Sequence, residues 1–332
     1  MNYQDILKDL KNKIYKPIYF LFGEEPYFID KITEFIADNI LNDSEKAFNQ
    51  ITLYGKDSQI EDIINSAKRF PMMANHQVLI IKEAQNLKNI DKLAFYAEQP
   101  LKSTILVFNY KYKKLDKRTK LYKILRKNAV LFESKKLYEN QIPAWINTYL
   151  KEKKYSANPV SAQLLTEFLG TDLSKISNEL DKLTISLPQG TVITPEIIEK
   201  NIGISKDFNN FELQNALTNR DILKANRIIR HFAKNPKENP LTLTIITLFS
   251  YFSKILTYHY LKDKSNNNVA SALKINPFFV KDYAKAAKTY NIKKTVFVIS
   301  ILREYDMKSK GYNNANTTHE DLLKELIFKI LH

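Results

Sequence analysis

Residues 16–30 read KPIYFLFGEEPYFID, and this stretch decides the fold of the first part of the chain. Its apolar run at residues 18–22 has the composition of a strand that is covered on both faces. A loop with one glycine and two glutamates follows, and after it Ile29, Ile32 and Ile36 recur at helical spacing. Strand, loop and helix in this order predict the first unit of a doubly wound α/β sheet.

The same alternation continues outward from this stretch. Further strands are predicted at residues 48–54, 78–81, 104–108 and 129–132. Two of these runs, at 78–81 and 105–108, are apolar at every position, as strands buried under helices on both sides require. A segment between strands, residues 60–70, has apolar residues at helical spacing, and Pro71 is expected to end that helix. We therefore predict a doubly wound parallel sheet.

The loop after the first strand lacks the residues that bind a nucleoside triphosphate. Such a loop needs the pattern GxxxxGK[ST], whose glycines admit phosphate, whose lysine neutralises it and whose hydroxyl binds magnesium. Here Gly23 is followed by Glu24 and Glu25, which repel phosphate. The strand that ends at Ile81 continues with Lys82 instead of a magnesium-binding aspartate. We predict that the chain is not an active ATPase.

Other enzyme classes also lack their residues. Glu24 and Glu25 are adjacent and tend to point apart, which argues against a carboxylate dyad, and the sequence displays no carboxylate cluster for a nuclease. The chain has no cysteine, which excludes disulfides, thiolate metal sites and a cysteine nucleophile, and it has only five scattered histidines. We predict no catalytic residue, no metal and no cofactor.

The composition describes a folded, basic protein of several domains. Of 332 residues, 44% are hydrophobic, and lysine and arginine exceed the acids to give a net charge of +15. Such an excess favours a polyanion such as nucleic acid, although a bias of the genome toward lysine codons would produce it too. No uninterrupted apolar run of about 18 residues occurs and the first residues lack a signal peptide, so we expect a cytoplasmic protein.

The charge divides the chain into three parts. Residues 1–140 carry a net charge of +6, residues 141–210 carry −1, and residues 211–332 carry +10. Both later parts have helical patterns, including a long apolar segment at 241–261. We predict an α/β domain at 1–140, a small helical domain at 141–208 and a helical domain at 209–332.

Five blocks, in order, resemble the delta subunit of the bacterial DNA polymerase III clamp loader. They are KPIYFLFGEEPYFID at 16–30, FPMMANHQVLIIKEAQNL at 70–87, LVFNYKYKKLDKRTKLYKIL at 106–125, FELQNALTNRDILKANRIIRHF at 211–232, and INPFFVKDYAKAAKTYNIKK at 275–294, followed by REYDMKSKGYN. The resemblance covers nearly the whole chain. It implies an AAA+-like first domain without ATP-binding motifs, a small helical lid-type domain and a helical collar that forms the oligomer.

The resemblance also implies a function and partners. The family is a non-catalytic part of the DNA polymerase III holoenzyme, assembled with tau/gamma and delta prime subunits in the cytoplasm at the nucleoid. It binds and opens the sliding clamp (beta) for loading on primed DNA during replication. In the family, two adjacent apolar side chains after this helix enter a pocket on the clamp, and Met72 and Met73 occupy that position here.

The expected clamp-binding residues are Phe70, Pro71, Met72 and Met73. Many relatives carry leucine or phenylalanine where this chain has methionines, which changes the shape of the contact more than its polarity. Without the resemblance, the alternative is that both methionines belong to the core. A wider alternative is a degenerate AAA+ scaffold that binds DNA and no clamp.

A basic segment at residues 111–127 has nine lysines and arginines, one acid and interleaved tyrosines. Side chains on its exposed face would neutralise phosphates without reading sequence, as a loader that acts at any primer requires. The alternative is a solvated helix face. The candidate contacts to the DNA backbone are Lys111, Lys113, Lys114, Lys117, Arg118 and Lys120.

Overall fold

The computed structural model describes residues 2–314 and 316–332. Its internal contacts divide the chain into two compact units, Met1–Leu137 and Tyr138–His332. The first unit contains a five-stranded sheet, and the second consists mainly of helices. The predicted class, a parallel α/β domain followed by helical structure, is confirmed.

The sheet of the first unit is entirely parallel. Its strands are β1 (Ile18–Gly23), β2 (Gln50–Tyr54), β3 (Gln77–Lys82), β4 (Thr104–Lys111) and β5 (Val130–Ser134). They are hydrogen-bonded in the order β2-β3-β4-β1-β5. Residues of β1 and β3 are buried on both faces, because helices cover both sides of the sheet.

The described residues of the first unit form six α-helices, one before β1 and five between consecutive strands. They are α1 (Tyr3–Lys11), α2 (Pro26–Asn39), α3 (Asp43–Asn49), α4 (Ile60–Ala67), α5 (Leu93–Glu98) and α6 (Lys120–Asn128), with 3-10 turns at Ala84–Asn86 and Ile90–Lys92. Side chains of α1 and α2 pack on one face of the sheet, and those of α4, α5 and α6 pack on the other. Leu121 and Leu125 form the buried face of α6.

One predicted strand begins too early. The pattern at residues 48–54 alternates, but Phe48 lies in α3 with its side chain exposed, and β2 begins at Gln50. The cap at Asn42, which accepts a hydrogen bond from the Glu45 N–H, starts this short helix and places Phe48 in its last turn. Alternation of apolar residues did not reveal this cap.

The second unit begins with a group of four helices and a minimal sheet. Its elements are a 3-10 turn at Glu139–Gln141, α7 (Ile142–Glu152), β6 (Ser156–Ala157), α8 (Pro159–Leu169), α9 (Leu173–Ser186), β7 (Val192–Ile193) and α10 (Pro195–Ile202). β6 and β7 form one parallel pair. Thr194 occupies the N-cap position of α10 and Pro195 its first helical position.

The described residues of the second unit form seven further helices. They are α11 (Asn210–Thr218), α12 (Ile222–Lys234), α13 (Leu241–Tyr260), α14 (Asn266–Leu273), α15 (Val280–Thr289), α16 (Ile292–Ser309) and α17 (His319–Leu331), with a 3-10 turn at Pro277–Phe279. They share one large apolar core. The asparagines at 266–268 form the first turn of α14, after an N-cap at Ser265.

Helix α13 is the one helix in the two described ranges that is long and apolar enough, by length and composition alone, to cross a membrane. A single such helix is weak evidence for a membrane span, because the core helix of a soluble protein meets the same criterion. Leu248, Phe252 and Ile255 of α13 lie in the core of the second unit and account for the apolar character.

The second unit buries a carboxyl group without a full set of partners. Glu167 of α8 is half-buried as a residue, but its Oε2 atom is closed off and has no hydrogen-bond partner. Burial raises the pKa of Glu167 to about 7, while Gln163, Lys254 and Glu139 contribute smaller, partly opposing effects. Burial also lowers the pKa of Lys254 on α13.

Replacing Glu167 by glutamine should therefore change the pH dependence of stability. The native carboxyl holds its proton more tightly than the unfolded chain, so the free energy of unfolding falls as the pH rises from about 4.5 to about 7. At pH 8, Glu167→Gln should stabilise the second unit by about 1–2 kcal/mol, with no gain near pH 4. Urea unfolding across this range measures the effect, and an unchanged profile would contradict it. Glu238→Gln, at an exposed position, is the control.

Candidate functional site

The segment between α4 and β3 contains the residues predicted to bind a partner. The helix predicted over residues 60–70 ends at Ala67, before Pro71, so Pro71 does not end it. The carbonyl of Ala67 accepts hydrogen bonds from the Thr104 hydroxyl (2.7 Å) and the Tyr96 hydroxyl (3.2 Å), and Gln77 Nε2 lies 3.2 Å from the Ser66 carbonyl. Side chains of neighbouring elements thus donate to the carbonyls that would lie inside the helix if it continued for another turn.

Three apolar side chains of this segment project into solvent. Phe70 is 77% exposed, Met72 is 62% exposed and Met73 is fully exposed, whereas Pro71 is half-buried. The alternative in which both methionines belong to the core of this unit does not hold. Burying such side chains in a partner would be worth about 1.5–3 kcal/mol each before association costs. We call residues 70–73 the tip.

A buried asparagine holds the tip in place. Asn49, at the end of α3, is 3% exposed, and its amide Nδ2 donates to the Met72 carbonyl (2.9 Å). The Met72 N–H donates to Asn49 Oδ1 (2.7 Å), so one side chain satisfies both backbone groups of Met72. Ala74 then packs against the core of the first unit, which returns the chain to β3.

The backbone at the tip is strained. Met73 has φ of 51°, in the left-handed region that costs an L-residue with a side chain about 1 kcal/mol or more. The bonds at Asn49 and the packing of Ala74 hold the chain on either side of this residue. This geometry turns the Met73 side chain outward, away from the core.

Replacing Asn49 by alanine should loosen the tip without unfolding the unit. Three part-buried hydrogen bonds are lost, two with Met72 and one with the Glu45 carbonyl, which we expect to cost about 1–3 kcal/mol of stability. Amide hydrogen exchange at residues 70–75 should accelerate at least tenfold, because this segment would open locally. Asn49→Asp still accepts from the Met72 N–H but sets a carboxylate oxygen against the Met72 and Glu45 carbonyls, so exchange at least as fast as in Asn49→Ala is expected. Exchange as slow as in the wild type would show that the tip is held by other contacts.

The basic segment follows β4 at the opposite, carboxyl edge of the sheet. Each of its six candidate residues contacts an acid or a carbonyl of the first unit. The contacts of the charged nitrogens are Lys111 with Asp30 (2.6 Å), Lys113 with the Gln85 carbonyl (3.1 Å), Lys114 with Glu24 (3.1 Å), Lys117 with Glu133 (3.9 Å), Arg118 with Asp116 (2.9 Å) and Lys120 with Glu98 (2.9 Å).

These contacts reduce the free positive charge of the segment. Arg118 is the clearest case, because its hydrogen bond lowers the pKa of the exposed Asp116 to about 2 and keeps that carboxylate charged. Exposed ion pairs are weak, so a phosphate can compete for such lysines. Further along α6, Lys123, Arg126 and Lys127 have no carboxylate within ion-pair distance in the described part of the chain.

The loop after β1 is closed by its own side chains. Pro26 removes a donor from the start of α2, and the buried Glu25 carboxylate accepts the Tyr27 N–H at 3.1 Å. The Glu25 N–H donates to the Ser134 carbonyl (3.2 Å), and the Ser134 hydroxyl donates to the Glu25 carbonyl (2.6 Å). An acid therefore occupies the helix N-terminus where a nucleotide-binding protein of this class holds phosphate.

Sequence reasoning missed the residues that shape the tip. Asn49 and Gln77 look like ordinary polar residues, because their partners lie 23 and 11 positions away in the chain. Phe48 and Phe95, both exposed, fit the helical and strand patterns and gave no separate signal. Within the two described ranges no three histidine, aspartate or glutamate side chains come together as a metal site would need.

Comparisons with known proteins agree across the chain. The family model described as DNA polymerase III, delta subunit, matches residues 19–135, and that of the C-terminal domain of the same subunit matches residues 207–327. The DNA polymerase III subunit delta of Bacillus subtilis (strain 168) is 27% identical over 320 residues, covering 92% of this chain and 91% of that protein.

A solved structure supports the same fold. The DNA clamp loader delta protein of Bacillus subtilis superposes with a TM-score of 0.55 and 23% identity, covering 99% of both chains. The two family models together span well over half of the sequence, one in each compact unit. The chain therefore belongs to the family of DNA polymerase III delta subunits, the delta proteins of the bacterial clamp loader.

Proposed function

We propose that this chain binds the sliding clamp through Phe70, Pro71, Met72 and Met73. The observation that carries the proposal is the tip itself, two exposed methionines on a loop that a buried asparagine holds outward. A prearranged apolar tip loses little entropy on binding, so its burial converts efficiently into affinity. Methionine adapts to the shape of a pocket, which suits contact with a partner's apolar surface.

Opening of the clamp would follow from preferential binding. The tip would bind a clamp with an open subunit interface more tightly than a clamp with a closed one. This difference in affinity would shift the population of clamps toward the open ring. No nucleotide chemistry is needed in this subunit for such a shift. The closed loop after β1 is compatible with a subunit that binds the clamp without binding a nucleotide.

The test uses the clamp of the same organism, labelled with a self-quenching pair of fluorophores across its subunit interface. Adding the full chain without ATP should raise the fluorescence in a saturable manner, while calorimetry reports binding. Binding without a fluorescence change would reject opening and keep the clamp contact. No binding to the clamp, together with binding to primed DNA, would favour the degenerate AAA+ scaffold.

The remaining partners belong to the same proposal. As a clamp-loader protein of bacterial replication, the chain acts in the cytoplasm with other subunits of that complex. Assembly with tau/gamma and delta prime through a collar at 209–332, a separate lid-type domain at 141–208 and location at the nucleoid are proposed from the resemblance. The lysines after β4 are proposed to contact the backbone of primed DNA. Phosphates would then replace the carboxylates of the first unit as the partners of these lysines.

A further inference from the structure

A groove of about 720 Å³ opens beside the exposed tip, at the amino edge of the sheet. Phe70 contributes to its lining, together with Lys68 from the end of α4, Phe95 of α5, and Lys102 from the loop before β4. Phe95 is 73% exposed, which is unusual for a phenylalanine on a helix that otherwise packs on the sheet. The groove and the tip therefore form one continuous surface, joined at Phe70.

The charged residues that line the groove, in the described part of the chain, are lysines. Nearby lysines have partners, since Lys92 pairs with Glu61 and Lys120 pairs with Glu98. Lys68 and Lys102 are exposed, and neither has a carboxylate within ion-pair distance in residues 2–314 and 316–332. No acidic residue lines the groove. Its complement is an apolar side chain flanked by carboxylates.

We propose that this groove is a second part of the clamp contact, in which an apolar side chain of the clamp lies between Phe70 and Phe95 and its neighbouring carboxylates pair with Lys68 and Lys102. This inference rests on the proposed clamp binding and adds the chemistry of the surface that the clamp must present. A protein occupant fits better than single-stranded DNA, because the groove continues into an apolar tip that has no affinity for phosphate.

Charge reversal of the two lysines tests the electrostatic half of the inference. At low salt, Lys68→Glu/Lys102→Glu should weaken binding of the full chain to the clamp at least tenfold. The difference should shrink at about 0.5 M salt, where exposed charges are screened. Lys56→Glu/Lys88→Glu is the matched control, because both lysines are exposed and follow β2 and β3 at the opposite edge of the sheet. This control should bind within about twofold of the wild type.

Phe95→Ala tests the apolar half and should weaken binding about tenfold at both salt concentrations. Normal affinity of the lysine and Phe95 variants, when Met72→Ala/Met73→Ala binds poorly, would overturn the groove and leave the tip intact. A wild-type chain that does not bind the clamp would overturn both proposals. Binding of a fluorescent oligothymidine that is lost in Lys68→Glu/Lys102→Glu, with clamp binding unchanged, would overturn the inference in favour of DNA.

Discussion

Replacing Met72 and Met73 together by alanine should weaken binding of the sliding clamp by two orders of magnitude or more. Both side chains are exposed in the free chain, so the change removes contacts to the partner and almost none within the first unit. If each methionine contributes about 1.5–3 kcal/mol on burial, their joint loss amounts to about 3 kcal/mol or more, which corresponds to at least a hundredfold in affinity. Calorimetry without ATP measures this loss.

Two comparisons make the result specific. Far-ultraviolet circular dichroism and urea unfolding should be unchanged in the double variant, because neither side chain stabilises the fold. Ile185→Ala/Val192→Ala removes two apolar side chains of the second unit that are 86% and 51% exposed, and should leave clamp binding intact. Wild-type affinity of the methionine variant would move the clamp contact to another surface.

Replacing Gly23 by alanine should destabilise the first unit by about 3 kcal/mol or more, through backbone strain and a steric clash together. Gly23 ends β1 with φ of 133°, and a Cβ atom there would lie 2.1 Å from the carbonyl oxygen of Ser134. That carbonyl accepts a hydrogen bond from the Glu25 N–H and belongs to the paired strands β1 and β5. It therefore cannot move away from a Cβ atom without disrupting these hydrogen bonds. Urea unfolding followed by circular dichroism measures the effect.

The control separates strain from collision. Gly190 also has a positive φ, of 87°, but a Cβ atom there meets no other atom within 4 Å. Gly190→Ala should therefore cost only about 1 kcal/mol, the strain of the backbone alone. Equal losses in the two variants would show that Ser134 yields readily and that the loop after β1 is not tightly closed.

Strands whose burial shows in the local sequence were predicted correctly, whereas features that depend on contacts with residues distant in the chain were not. Apolar runs such as those at 78–81 and 105–108 reported the buried strands correctly, because burial on both faces demands apolar residues at every position. The end of α4 was misplaced, because it depends on Tyr96, Thr104 and Gln77, which come later in the chain. Pro71 was the nearest local signal and was the wrong one.

The two candidate sites also differ in how well the sequence predicted them. The exposure of Met72 and Met73 agrees with the expectation drawn from the family resemblance, and their role toward the clamp stays a prediction. The lysines after β4 looked like a free cationic stretch, but Glu24, Asp30 and Glu133 reach them from other elements of the unit. A count of charges along the chain does not contain these pairings.

The parallel sheet sets a distance between two surfaces of the first unit. The tip precedes β3 and the basic segment follows β4, so the two lie at opposite ends of adjacent strands. Six residues of β3 at about 3.3 Å each hold these ends roughly 20 Å apart. Hydrogen bonds to β2 and β4 stiffen the strand along this length. Under the proposed function, a clamp bound at the tip and DNA bound at the basic segment would be held apart by this stiff part of the sheet.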